Sequence, residues 1–125
     1  MNLGRTLFAL AAGTLLAACS GAPWPDDSYG ADATTAQRGI AVIDRYHCGA
    51  CHRIPGVVGA QGTLAPPLDA FARRGFVAGV LPNTPENLQR WLRDPPAVDP
   101  LTAMPRLGLS DADARDAAAY LLTLR

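Results

Sequence analysis

The chain of 125 residues contains no lysine; all 11 of its basic residues are arginine, set against 11 acidic ones. A GC-rich coding sequence produces that bias equally well, so it carries no functional reading by itself. The charge balance is more informative. No basic run or basic patch occurs, so the electrostatic footprint of nucleic-acid binding is missing. The N-terminal apolar run, residues 6–18, falls short of the roughly 20 apolar residues that a membrane-spanning helix needs. Potential metal ligands are few, with two histidines and three cysteines. No segment reads firmly as a strand. A single domain of this size has a limited core, and a covalent cofactor or a metal staple would help it fold.

The N-terminus reads as an address. Arg5 supplies a positive charge, and the uncharged Leu- and Ala-rich residues 6–18 fit the h-region of a secretory signal peptide. The run ends in Leu16-Ala17-Ala18-Cys19, which resembles a bacterial lipobox. That resemblance implies a signal peptide over residues 1–18, cleavage before Cys19 and lipid on the Cys19 thiol. Acyl chains would then hold the protein on the periplasmic side of a bacterial membrane without spanning it. An ordinary signal peptide that happens to end near a cysteine is the alternative. Residues 19–33 carry Pro23, Pro25, Gly21, Gly30 and three aspartates without apolar periodicity, and read as a flexible linker. Its r.m.s. reach is roughly 20 Å. Trp24 and Tyr29 interrupt it and suit loose packing onto the domain.

The chemistry is concentrated in Cys48-Gly49-Ala50-Cys51-His52, the C-x-x-C-H pattern of c-type haem attachment. Two thiols at this spacing can add to the two vinyl groups on one porphyrin edge, and the histidine that follows can reach the iron. Other chemistries share parts of the pattern. A thioredoxin-like pair uses C-x-x-C in a βαβ setting, and no β-rich alternation surrounds this one. A zinc site wants a fourth ligand; His47 is adjacent, but no further Cys or His follows. A plain disulfide leaves His52 without a role.

Met104 is the one methionine left once Met1 departs with the signal peptide. It sits in Thr102-Ala103-Met104-Pro105, between two helical segments. A thioether opposite a histidine fills the sixth position of haem iron and raises its potential. Met104 as a core filler, and His47 as a poorer ligand, are the alternatives.

From about residue 33 to 125 the chain resembles class I cytochrome c. Gly39 falls where that family has a glycine that lets the terminal helices cross. Ala65-Pro66-Pro67-Leu68 resembles its Gly-Pro-x-Leu segment, with Ala65 in place of the glycine. The resemblance implies that the Pro66 carbonyl accepts the His52 Nδ1 hydrogen and orients the ring. The helix with Leu88-Gln89-Arg90-Trp91-Leu92 and the one with Ala119-Tyr120-Leu121 also resemble the family's.

Local signals point to the same all-α scaffold of about four short helices, and the resemblance implies a cytochrome c fold over residues 34–125 built around one haem. Thr34 or Thr35 can cap a helix to about Tyr46, with Ile40, Ile43 and Tyr46 on one face. Thr84-Pro85 starts a helix carrying Leu88, Trp91 and Leu92. That helix stops near Asp94, before Pro95-Pro96. Ser110-Asp-Ala-Asp opens a helix to about Leu124, with Ala117, Tyr120, Leu121 and Leu124 as its apolar face. Phe71 to Phe76 suits a short helix or turn. Residues 75–82 have some strand character, interrupted at Gly79. Trp91 reads either as a haem contact or as a plain core aromatic. Arg90, Arg93 and Arg106 read either as propionate partners or as solvated charges.

The expectation is a one-electron carrier with one haem c, bound through Cys48 and Cys51, with His52 and Met104 on the iron. Its partners would be the membrane, through Cys19, and respiratory redox proteins. It would work as a tethered shuttle or as a haem subunit of an oxidase or dehydrogenase, and not as an enzyme by itself. The rival from another class is a periplasmic thiol–disulfide protein using Cys48 and Cys51.

Overall fold

The computed structural model describes residues 33–125. The leader, Cys19 and the linker with Trp24 and Tyr29 lie outside the described residues. Helix α1 covers Ala33–Arg45, so Thr34 and Thr35 lie inside it and do not cap it. A 3-10 turn, Cys48–Ala50, follows at once. After a second 3-10 turn at Phe71–Arg73 come strands β1 (Phe76–Val77) and β2 (Leu81–Pro82), then α2 (Pro85–Arg93), α3 (Pro95–Val98) and α4 (Asp111–Leu121). Among the described residues no helix is long and apolar enough to cross a membrane.

Each helix from α2 onward begins at a side-chain cap. The Thr84 Oγ1 accepts from the Asn87 amide at 3.2 Å, with Pro85 in the first turn where its missing N–H costs nothing. Ser110 Oγ accepts from the Asp113 amide at 3.1 Å. The Pro95-Pro96 pair does stop α2, but it also starts a new helix, α3. Asp94 caps that helix by accepting from the Ala97 amide at 3.3 Å. Proline ends one helix and suits the first turn of the next for the same reason, its fixed φ and absent donor.

α1 and α4 pack across each other at Gly39. A Cβ placed there would lie 2.2 Å from the Asp116 carbonyl oxygen and 2.7 Å from the Tyr120 Cβ. Only a hydrogen side chain permits that approach. The buried face of α1 is Gly39, Val42 and Ile43, whereas Ile40 and Tyr46 are only partly covered. The expected stripe is therefore rotated by about one residue, because the crossing centres on the glycine. Arg38–Asp116 (2.9 Å), Arg45–Asp113 (3.1 Å) and the Tyr46 hydroxyl donating to Asp113 (2.9 Å) fasten the rim of the crossing. α4 buries Ala114, Ala117, Ala118, Tyr120 and Leu121. The helix ends at Leu121, so Leu124 joins the core's edge from outside it.

α2 lays Leu88, Trp91 and Leu92 against α4, as their i, i+3, i+4 spacing predicts. Complete burial of Ile43, Ile54 or Leu88 is worth about 1.5–3 kcal/mol each. The stretch with mixed strand character is a small antiparallel hairpin, Phe76 opposite Pro82 and Val77 opposite Leu81. Ala78 (φ 51°) and Gly79 (φ 77°), both in the left-handed region, make its turn, which the Val80 amide closes by donating to the Val77 carbonyl at 3.0 Å. Gly79 makes the turn possible and does not disqualify the strands.

Candidate functional site

The C-x-x-C-H segment begins where α1 is forced to stop. His47 takes a left-handed conformation (φ 55°) and its carbonyl accepts from the Ala50 amide at 3.0 Å, which opens the 3-10 turn. The Cys48 carbonyl then accepts from both Cys51 (3.3 Å) and His52 (3.0 Å). Two thiols and one imidazole are thereby carried on one tight turn. Both thiols are free, Cys48 partly buried and Cys51 exposed. His47 itself is exposed and serves to turn the chain.

Two glycines allow this turn to be backed by other chain. A Cβ on Gly49 would lie 2.6 Å from the Ala60 Cα, and one on Gly62 would lie 2.4 Å from the Cys51 carbonyl carbon. The Gly62 amide donates to the carbonyls of Gly49 (3.0 Å) and His52 (3.2 Å). The Ala65 amide donates to Cys51 (3.0 Å). Ala65 does so without a positive φ, so the alanine is tolerated where the resembled family has glycine.

Nδ1 of His52 lies 2.8 Å from the Pro66 carbonyl oxygen. A carbonyl only accepts, so Nδ1 carries the hydrogen and Nε2 keeps its lone pair free for a metal. The loop that presents Pro66 is itself held. The Leu68 amide donates to Arg53 (2.8 Å), and Arg53 pairs with Asp69 at 2.8 Å. The Arg74 guanidinium donates to the carbonyls of Pro67 and Asp69 and stacks over Phe71. Sequence reading gave no role to Arg53, Asp69 or Arg74. Arg53 meets Asp69 across the loop, where no spacing rule connects them, whereas Arg74 meets Phe71 and Asp69 within its own segment.

Met104 lies in the loop between α3 and α4, partly buried against the core. Its amide donates to Thr102 Oγ1 at 3.1 Å. Trp91 is 7 % exposed. Arg93 pairs with Asp111 (2.6 Å) and Arg106 with Asp94 (3.4 Å), so two of the three arginines considered for propionates are engaged by aspartates here. Arg90 is exposed.

This donor set suits covalently attached haem and does not suit its competitors. Imidazole with a fixed tautomer, two free thiols on one turn and glycines that admit no side chain are what such a group needs. Among the described residues no cluster of three or more His, Cys, Asp or Glu side chains could hold a metal ion. Burial pushes the Cys48 thiol up, away from the low value that makes a reactive thiolate.

The cytochrome c family model matches residues 36–125. The chain belongs to the cytochrome c family. It is thus a haem electron-transfer domain of mostly helical architecture with one small hairpin. It is also similar to proteins named cytochrome c oxidase subunit 2. That of Alkalihalophilus pseudofirmus is 36% identical over 94 residues, covering 74% of this chain and 26% of that protein. That of Bacillus sp. strain PS3 is 39% identical over 67 residues, covering 52% and 18%. That of Bacillus subtilis is 32% identical over 90 residues, covering 67% and 25%. The match to this cytochrome c chain spans about a quarter or less of the length of each of these relatives. No solved structure matches it.

Proposed function

We propose that this cytochrome c carries single electrons to or within a respiratory oxidase, through one haem attached at Cys48 and Cys51 and held by His52 and Met104. The observation that carries this reading is the His52 Nδ1 to Pro66 contact at 2.8 Å, which leaves Nε2 available beside two free thiols. The haem would supply a reversible one-electron couple. The chain's own residues do the rest. His52 is oriented and made more basic by Pro66. Met104 would supply the iron's second ligand and so leave no open coordination site for a substrate, which would make the protein a carrier and not an enzyme by itself. Trp91, buried on α2, would be the aromatic contact to the haem in this reading.

The similarity to oxidase subunits supports a respiratory oxidase as partner over other acceptors. Cys19 carries lipid in this reading, and the linker over residues 19–33 lets the domain move on the periplasmic face of the membrane. The thiol–disulfide alternative is disfavoured by the raised Cys48 thiol and by its leaving His52 idle.

Visible spectra of protein co-expressed with haem-attachment machinery test the site. A c-type ferrous spectrum, haem retained on denaturation and a weak far-red ferric band are expected. A colourless protein with a reducible Cys48–Cys51 pair would overturn the assignment. Fatty-acid labelling that vanishes in Cys19→Ala tests the anchor, and co-purification with an oxidase in mild detergent tests the partner.

A further inference from the structure

The loop that carries Met104 is fastened unevenly. Upstream it is tied to the end of α3: Asp99 Oδ1 accepts from the Leu101 amide (3.0 Å), the Asp99 carbonyl from Thr102 (3.1 Å), and Thr102 Oγ1 from Met104 (3.1 Å). Downstream the picture changes. Among the described residues, none from 103 to 109 makes a backbone-to-backbone hydrogen bond. Gly108 has a left-handed conformation (φ 79°), and Leu109 re-enters the core just before the Ser110 cap.

Across this unbonded stretch runs one ion pair. Arg106, two residues past Met104, places Nη1 3.4 Å from Asp94 Oδ2. Asp94 is a firm anchor, because its Oδ1 caps α3 and its backbone amide donates to Arg90 at the end of α2. The pair lines a cleft with Arg90, Arg93, Val98 and Asp111, where Arg93–Asp111 ties α2 to the start of α4.

We propose that the Arg106–Asp94 pair is a positioning latch that holds the Met104 loop closed and so sets how readily an outside ligand displaces the Met104 sulfur. The proposal rests on Met104 being the ligand proposed above. Neither Arg106 nor Asp94 touches the iron; both act through the loop. Exposed ion pairs contribute less than about 1 kcal/mol, so the latch is weak by itself, but it works on a segment with few other ties. Breaking it shifts the open population by about 2- to 5-fold, which is that energy expressed as an equilibrium constant.

The test uses the ferric holoprotein and imidazole as the probe, following loss of the far-red band, together with hydrogen exchange at the Met104 amide. Asp94→Asn removes the charge but keeps a capping oxygen for Ala97, so it separates the latch from the cap. Asp94→Asn and Arg106→Gln are each expected to tighten apparent imidazole binding by about 2- to 5-fold at low salt. Both should speed exchange of the Met104 amide, and the double variant should go no further than either single one. Arg106→Lys should restore most of the wild-type value. Raising salt toward ~1 M, where charges are screened beyond roughly 3 Å, should bring the wild type toward the variants. Imidazole binding and exchange unchanged in both single variants, or additive effects in the double one, would overturn the latch alone. A wild-type spectrum without the far-red band would instead remove Met104 as ligand, and the latch with it.

Discussion

Tyr120, in the last helix, donates its hydroxyl hydrogen to the carbonyl of Pro55 at 2.6 Å, three residues beyond His52. The same hydroxyl lies 2.4 Å from where a Cβ on Gly56 would sit, and Gly56 holds a positive φ of 78°. The tyrosine thus joins the α1–α4 crossing, where its Cβ faces Gly39, to the segment that leaves the C-x-x-C-H turn. Tyr120→Phe should lower unfolding free energy by about 1–2 kcal/mol, since the partly buried carbonyl loses its partner. Denaturant unfolding of the holoprotein measures this; an unchanged midpoint would mean that water replaces the hydroxyl without loss.

Gly39→Ala should be costlier. Alanine favours a helix over glycine by about 1 kcal/mol. Here the added carbon would lie 2.2 Å from a backbone oxygen that cannot rotate away, so α1 and α4 must separate. A net loss of about 2 kcal/mol or more is expected, read from the same unfolding curves. A stabilised variant would show that the two helices cross further apart than described.

The opposite sign is expected at the hairpin. Ala78 is exposed and sits at φ 51°, a conformation that strains an L-residue with a Cβ. Ala78→Gly should raise stability by about 0.5 kcal/mol, relief of strain outweighing the extra freedom of the unfolded chain.

Asp113 accepts from the Ser110 and Tyr46 hydroxyls and lies beside Arg45, and those donors hold its carboxyl below the usual 3.8. Its contribution is therefore complete above pH 3.8 and is lost as pH falls through the lowered folded value. Tyr46 is shifted the other way, above its usual 10.0, chiefly by its hydrogen bond to Asp113. Its contribution is complete below pH 10.0 and is lost as pH rises through the raised value. The stability difference between wild type and Tyr46→Phe should therefore be flat through neutral pH and shrink at both extremes. A difference that is constant from pH 2 to pH 12 would exclude the bond as its source.

In the proposed site, Met104→Ala should keep the haem, which Cys48 and Cys51 would hold, yet lose the far-red ferric band and bind added imidazole readily. Loss of the haem in that variant, with the fold intact, would show that Met104 acts in attachment or retention and not only as a ligand.

Much of this protein was legible along the chain because its decisive features are local. Cys48, Cys51 and His52 lie within one turn, and the caps at Thr84 and Ser110 act three residues ahead. Leu88, Trp91 and Leu92 share a helix face by spacing alone. Pro95-Pro96 stops α2 as its chemistry predicts, and with the Asp94 cap it also starts α3. Gly79 interrupts the strand character of residues 75–82 because it turns a hairpin. The α1 stripe is rotated because Gly39, which has no side chain to count in a hydrophobic pattern, is the point of closest approach.

The amino-acid order alone determined the C-x-x-C-H turn and the helix starts at Thr84 and Ser110, since each depends on groups within about four residues of one another. Only the folded chain decided the rest. Fourteen residues separate His52 from Pro66, 12 separate Asp94 from Arg106, and 65 separate Pro55 from Tyr120. No periodicity links such positions. They meet because α1 and α4 close on each other at a glycine, and that closure draws the intervening loops to where a carbonyl, a carboxylate or a hydroxyl can be shared.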